Sequence, residues 1–313
     1  MSSCQQNLKT PATIPIARAT APLMVCTIRR MACGAKEGTT CELPVDKPRT
    51  IHRRAGCVRS GVRQLLPEPL DDVDLAAAYL ADQRVAPPGR PWVLLNMVVS
   101  IDGATAVEGR SGGLGGPADR LAFVTLRSQA DVILVGAGTV RAERYGPPRT
   151  SPEHQAQRRA RGQDAFPRLA VVSGRLDLDL TSPLFTETPS RPLVITRAAV
   201  PDEPGRLEAV RAVEAVADLL AVGDDHADLA TALATLGQSG VQVVLCEGGP
   251  TLNDQLLAAD LVDEACVTVG PLLAGGRSSR MISGPAPEMA HTMRLARAIE
   301  DDGTLLLRYV RPA

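Results

Sequence analysis

A chain of 313 residues, with 44% hydrophobic and 22% charged residues, is long enough for a well-buried core and reads as globular. Its net charge of -1 hides an asymmetry, because residues 1–66 hold 11 Lys or Arg against 3 Asp or Glu while the remainder holds 23 basic against 32 acidic side chains. That acidic remainder, in a chain with 2% aromatic residues, excludes generic attraction to nucleic acid or anionic membrane and lacks platforms for stacking single strands.

Residues 1–66 contain no aromatic residue and no sustained periodicity, so they are expected to be disordered. An equally open reading is that synthesis starts downstream, at Val58 or Val62. The apolar stretch Ala21 to Ile28 is too short to span a membrane, and the Arg-rich, acid-poor composition leaves an organelle-targeting reading open. The cysteine pattern, with neither zinc pairs nor a disulfide framework, leads to the expectation of a reduced, cytoplasmic protein. All three lysines (Lys9, Lys36, Lys47) and five of seven cysteines lie in this segment. The rest of the chain must hold anions with arginine forks, backbone N–H groups or helix N-termini. Cys246 and Cys266 sit in strand-like apolar runs and read as buried small hydrophobes, with no metal-ligand spacing.

From Asp71 the pattern becomes regular. An Asp-capped helix is expected over Asp71 to Ala81, then a turn at Pro87-Pro88-Gly89 and a strand from Trp92 to Val99. A glycine-rich loop, Ile101 to Gly116, precedes a helix opening at Pro117, and a buried-type strand runs from Asp131 to Gly136. The segment Thr150 to Asp164, rich in Arg, reads as a mobile surface loop. Further strands are expected at Leu169 to Ser173, Leu193 to Thr196 and Val241 to Cys246, with helices at Asp228 to Leu236 and Thr251 to Ala259. Asp301-Asp302-Gly303 separates Met293 to Ile299 from Thr304 to Val310, a hairpin closing one sheet edge. The class is α/β, with a mostly parallel sheet covered on both faces and one domain spanning residues 67–313.

Gly136-Ala137-Gly138-Thr139 follows a strand and opens a helix, where bare N–H groups can meet a phosphate or where helix and strand pack closely. The Rossmann fingerprint fails, because Arg141 occupies the third glycine position. Glu247-Gly248-Gly249-Pro250-Thr251 repeats the arrangement and adds a carboxylate at a strand end, where open sheets bind ligands. Gly109-Arg110-Ser111-Gly112-Gly113 matches a hydrolase elbow in letters only, since Ser111 lies far from both the preceding strand and Pro117.

Taken together, N-M-V-V-S-I-D-G at 96–103, S-G-G at 111–113, L-R-S-Q-A-D-V-I-L-V-G-A-G-T-V at 126–140, E-G-G-P-T-L at 247–252 and L-V-D-E at 261–264, with Gly275-Gly276 following, resemble the reductase domain of the riboflavin-biosynthesis deaminase/reductase and its stand-alone relatives. The resemblance implies a dihydrofolate-reductase-like fold and a homodimer. It also implies NADPH-dependent reduction of a ribosylaminopyrimidine 5′-phosphate, with a pterin-type substrate or a non-catalytic nucleotide-binding role as alternatives. It places cofactor contacts at Val98, Gly113, Thr139, Glu143, Ser173 and the turn Gly249, Pro250, Thr251, Leu252 and Asn253. Substrate contacts fall at Ser111, Arg127, Glu247, Pro147 and Arg149. The resemblance singles out no general acid: Asp102, Glu247 or water is expected to act in proton transfer. The zinc signature of the deaminase half is absent from the sequence, so only reduction is implied.

Overall fold

The structure, a computed structural model, describes residues 61–285 and 290–312. The expectation of disorder over residues 1–66 therefore falls outside the described residues up to position 60. Ten strands form one sheet: β1 (Arg63–Leu66), β2 (Trp92–Ser100), β3 (Val132–Gly136), β4 (Arg168–Val172), β5 (Leu193–Thr196), β6 (Asp218–Ala221), β7 (Val243–Cys246), β8 (Glu264–Gly270), β9 (Arg294–Asp301) and β10 (Thr304–Val310). Their spatial order is β1-β9-β10-β8-β2-β7-β3-β4-β5-β6, parallel from β8 to β6 and antiparallel at β10, β9 and β1. Eight α-helices and a 3-10 turn (Val200–Asp202) complete the described fold: α1 (Leu75–Leu80), α2 (Pro117–Gln129), α3 (Ala137–Glu143), α4 (Pro152–Ala160), α5 (Pro183–Thr186), α6 (Leu207–Val216), α7 (Leu229–Gln238) and α8 (Pro250–Ala258).

Successive strand residues point to opposite faces, and this divides the core in two. Leu94, Ile133, Val135, Leu169 and Leu245 face one side, where Leu75 and Tyr79 of α1 and Leu126 of α2 pack. Val93, Leu95, Val132, Leu134 and Val244 face the other, beneath Leu233 of α7 and Leu256 of α8. Burial on both faces explains why these strands read as unbroken apolar runs. Proline in the first turn opens α2, α4, α5 and α8, where its missing N–H costs nothing.

Four expectations are corrected. The sheet begins ahead of residue 67, because β1 pairs with β9 outside the C-terminal hairpin and Arg63 reaches Glu300 at 2.7 Å. The hairpin is thus one strand in from the edge. The first helix starts at Leu75, not Asp71, since the side chain that caps it is Asp74, which accepts from the Ala77 N–H at 3.0 Å. The segment read as a mobile loop, 150–164, contains α4, held by polar contacts that no apolar periodicity reveals.

The antiparallel side is fastened by buried charge. Glu264 accepts from Arg84 (2.8 and 2.9 Å), Arg308 (2.9 Å) and the Trp92 indole (3.0 Å), while Arg297 binds Asp82 at 2.6 and 2.8 Å. Burial would raise the Glu264 pKa, but the Arg84 charge and the hydrogen bonds from Arg308 and Arg84 outweigh it and pull it down to about 2. The L-V-D-E motif is therefore structural, for Asp263 likewise takes the Arg90 fork at 2.6 and 2.8 Å.

Candidate active site

Parallel strands deliver their C-terminal ends to one edge, and there a cleft of ≈ 1860 Å³ opens across β2, β7, β3, β4 and β5. Open α/β sheets bind ligands at this edge. The two glycine turns meet in its floor: the Gly136 N–H donates to the Gly248 carbonyl at 2.8 Å. A Cβ on Gly249 would stand 2.6 Å from Thr139 Oγ1, so the approach requires glycine, whereas a Cβ on Gly138 would meet nothing within 4 Å and the first turn of α3 stays open to the cleft.

Glu247 follows β7, and its own N–H is strapped to the Leu134 carbonyl at 3.0 Å. Its side chain, 2% exposed, takes the Arg127 fork through Nε and Nη2, each at 2.7 Å, and the Tyr145 hydroxyl at 2.6 Å. Arg127 projects from the last turn of α2 and lies over the Phe123 ring, 4.2 Å from its centroid. Burial alone would lower the guanidinium's pKa, but the Glu247 carboxylate outweighs it and holds it above the ordinary value. Burial, reinforced by the Glu247 charge, pushes the Tyr145 hydroxyl well above its ordinary value, so Tyr145 remains a donor. Arg127, expected at the substrate, thus gives both of these N–H groups to Glu247, a strand-end carboxylate.

The cleft also gathers Val98, Ser111, Glu143, Pro147, Arg149, Ser173 and the residues Gly249 to Leu252. Glu143 accepts from the Ser111 N–H at 2.8 Å, so a residue expected on the substrate and one expected on the cofactor are tied together. Three expected residues do not line it. Asn253 is fully buried, donating to the Met281 carbonyl at 2.7 Å and accepting from the Cys246 thiol at 3.3 Å. Gly113 lies on the exposed loop nearby. Asp102 is a loop fastener: it accepts from the Ser100 hydroxyl (2.6 Å) and the N–H groups of Ala274 (3.0 Å) and Gly275 (2.7 Å), which lower its pKa to about 2. It holds no proton to give near neutral pH.

Sequence reasoning missed Tyr145, whose partner is 102 positions away. A hint was available, since Tyr145 lies between the Gly136 turn and Arg149. Arg120, Arg144, Arg149 and Arg175 also line the cleft, and their side chains have no hydrogen-bond or ion-pair partner among the described residues. No cluster of three or more His, Cys, Asp or Glu suited to a metal occurs among the described residues. No helix among them is long and apolar enough to cross a membrane.

Residues 91–307 match the profile of the RibD C-terminal domain family. A 2,5-diamino-6-ribosylamino-4(3H)-pyrimidinone 5′-phosphate reductase of Archaeoglobus fulgidus is 33% identical over 191 residues, covering 61% of this chain and 84% of the relative. The enzyme of the same name from Methanothermobacter thermautotrophicus is 28% identical over 208 residues, covering 66% and 90%. Among solved structures, a pyrimidine reductase-like protein of Corynebacterium diphtheriae superposes with a TM-score of 0.69 at 24% identity, covering 77% of this chain and all of that one, and it shares the fold.

Proposed function

The chain belongs to the RibD C-terminal domain family, and from that membership we propose that it is the NADPH-dependent reductase of riboflavin biosynthesis that turns a ribosylaminopyrimidine 5′-phosphate into its ribitylamino product. The observation that carries this reading is the cleft itself. It joins an open, glycine-lined helix start to a buried Arg127–Glu247–Tyr145 set at the ends of adjacent strands.

The groups present fit a nicotinamide dinucleotide. Side-chain-free Gly138 leaves room for a diphosphate at the first turn of α3, whose N–H groups suit an anion, and Gly249 lets the start of α8 close onto Thr139 beside it. Thr139, Ser173, Gly249, Pro250, Thr251, Leu252 and Val98 would hold it, and when bound it supplies a hydride to the ribose C1′ of the ring-opened substrate. Arg175, beyond the end of β4 and with no side-chain partner among the described residues, suits the 2′-phosphate.

On the substrate side, Arg149 and Arg120 line the cleft with forks that have no partner among the described residues and suit the 5′-phosphate. Glu247 retains an acceptor position after its three hydrogen bonds and orients a donor edge of the pyrimidine. Ser111 is held by Glu143 at the rim. The proton that completes the amine comes from solvent in this reading, since Asp102 is ionised and Tyr145 is committed to Glu247. The reductase unit includes β1, from Arg63, because that strand pairs with β9. We place the enzyme in the cytoplasm and as a homodimer, following the family resemblance.

The test is cofactor-dependent turnover by the full chain. NADPH should be preferred over NADH by at least about tenfold, the scale of one charge-assisted contact, and Arg175→Ala should erase that preference. Equal efficiency with both cofactors in the unaltered protein would remove the assignment of Arg175.

A further inference from the structure

Helix α4 is held in an unusual way. Its one buried residue is Arg158, 1% exposed, so α4 has no apolar face with which to dock. The guanidinium lies over the C-terminal end of α2, where the last carbonyls of a helix lack partners. Arg158 Nη1 donates to the carbonyls of Ala130 (2.5 Å) and Ser128 (3.1 Å) and stands 3.5 Å from that of Arg127. Its Nε donates to the Asp164 carbonyl at 2.8 Å. Arg161 adds a bond to the Ser128 carbonyl (2.7 Å) and Gln163 one to the Gln129 carbonyl (2.9 Å).

Arg158 forms no ion pair among the described residues, and burial lowers its pKa to about 10. A cation buried without an ion pair is costly, and here the negative end of the α2 dipole offsets that cost together with the charges of Asp131 and Asp164. The two segments joined by this contact are both parts of the site. The last turn of α2 carries Arg127, and the chain leading into α4, capped at Ser151, carries Tyr145, Pro147 and Arg149.

We propose that Arg158 is a positioning residue for the substrate side of the cleft, clamping α4 to the carbonyl end of α2 so that Arg127 and the 144–150 segment stand in one fixed relation around Glu247. The effect on catalysis rests on the reductase reading, while the clamp itself does not. Arg158→Met removes the donors and keeps much of the chain length, and Arg158→Lys restores a charge without the fork.

Two measurements on the full chain separate the outcomes. Amide hydrogen exchange should quicken about tenfold or more in 126–130 and 144–150 in Arg158→Met, with 132–136 of β3 unchanged, as for a local opening. The pyrimidine KM should rise about fivefold or more while the NADPH Kd stays within about twofold, the split expected when only ground-state positioning of one ligand is lost. Arg158→Lys should lie between Arg158→Met and the unaltered protein in both, and it carries the test if Arg158→Met fails to fold. Unchanged exchange in the two windows overturns the clamp, and so does exchange that rises equally in β3, which would mark a general scaffold role. If the unaltered protein turns over no pyrimidine, the reductase reading falls and the exchange result still decides the clamp. Altered exchange with unchanged KM in an active protein refutes the positioning role.

Discussion

Glu247→Gln tests the centre of the site, because it changes one atom's chemistry in a group with three hydrogen bonds. The carboxylate accepts from Arg127 twice at 2.7 Å and from Tyr145 at 2.6 Å, and its side chain is 2% exposed. Glutamine keeps one acceptor oxygen and turns an NH2 group toward Arg127 or Tyr145, so at least one donor is left facing a donor. Breaking a buried pair from one side costs about 3–5 kcal/mol. Arg127, with a side chain 17% exposed and resting on Phe123, recovers part of its solvation, so a value near the lower end, about 3 kcal/mol, is expected. For a folded unit of this size that is roughly 6–12 °C in Tm. The assay is thermal or denaturant unfolding of Glu247→Gln, Arg127→Met and the double variant, with steady-state kinetics on each. The double variant should regain at least about 1 kcal/mol relative to the sum of the singles, since neither charge is then stranded. Its kcat/KM for the pyrimidine should stay as low as that of either single. A loss below about 0.5 kcal/mol in Glu247→Gln, within the range of ordinary surface changes, would refute the reasoning that the pair is a buried, mutually dependent set.

Other consequences follow from the same geometry. Gly249→Ala sets a methyl group against Thr139 Oγ1, 2.6 Å away, and should raise the NADPH Kd about tenfold or more by forcing the two glycine turns apart, read by fluorescence titration. Arg149→Lys should raise the pyrimidine KM about tenfold with the NADPH Kd unchanged, because a point charge does not replace a fork on a dianion. Acid stability should follow Glu264: its folded pKa of about 2 lies below the unfolded value, so its contribution is present above about pH 4.5 and is lost as pH falls toward 2. Unfolding free energy measured across that window should fall by about 3 kcal/mol, and Glu264→Gln should flatten that slope while lowering stability at neutral pH.

The parts of this fold legible in the sequence are those whose cause is local. Apolar runs such as 193–196 are buried on both faces and read as strands, and Pro117 and Pro250 mark helix starts because their geometry favours the first turn. Glu247 was legible as a carboxylate at a strand end beside a glycine turn. What was not legible depends on partners distant in the chain. The fork of Arg127 belongs to a residue 120 positions away, and α4 is fixed by carbonyls of another helix rather than by its own periodicity. Asp102 stands inside a recognisable motif, yet its hydrogen bonds to 274 and 275 make it a fastener between loops. Strand β1, four residues long with no apolar alternation, is ordered by pairing with β9.

Hydride delivery to the ribose carbon of a phosphorylated pyrimidine is the step on which the proposed function rests. It is tested most directly by incubating the full chain with the ribosylaminopyrimidine 5′-phosphate and NADPH deuterated at nicotinamide C4, on the face the enzyme uses, and analysing the product by mass spectrometry and NMR. The expected product is the ribitylamino compound carrying one deuterium at C1′, formed in step with NADPH oxidation. An absence of product, label at another carbon, or turnover confined to dihydrofolate in a parallel incubation would contradict the proposed function.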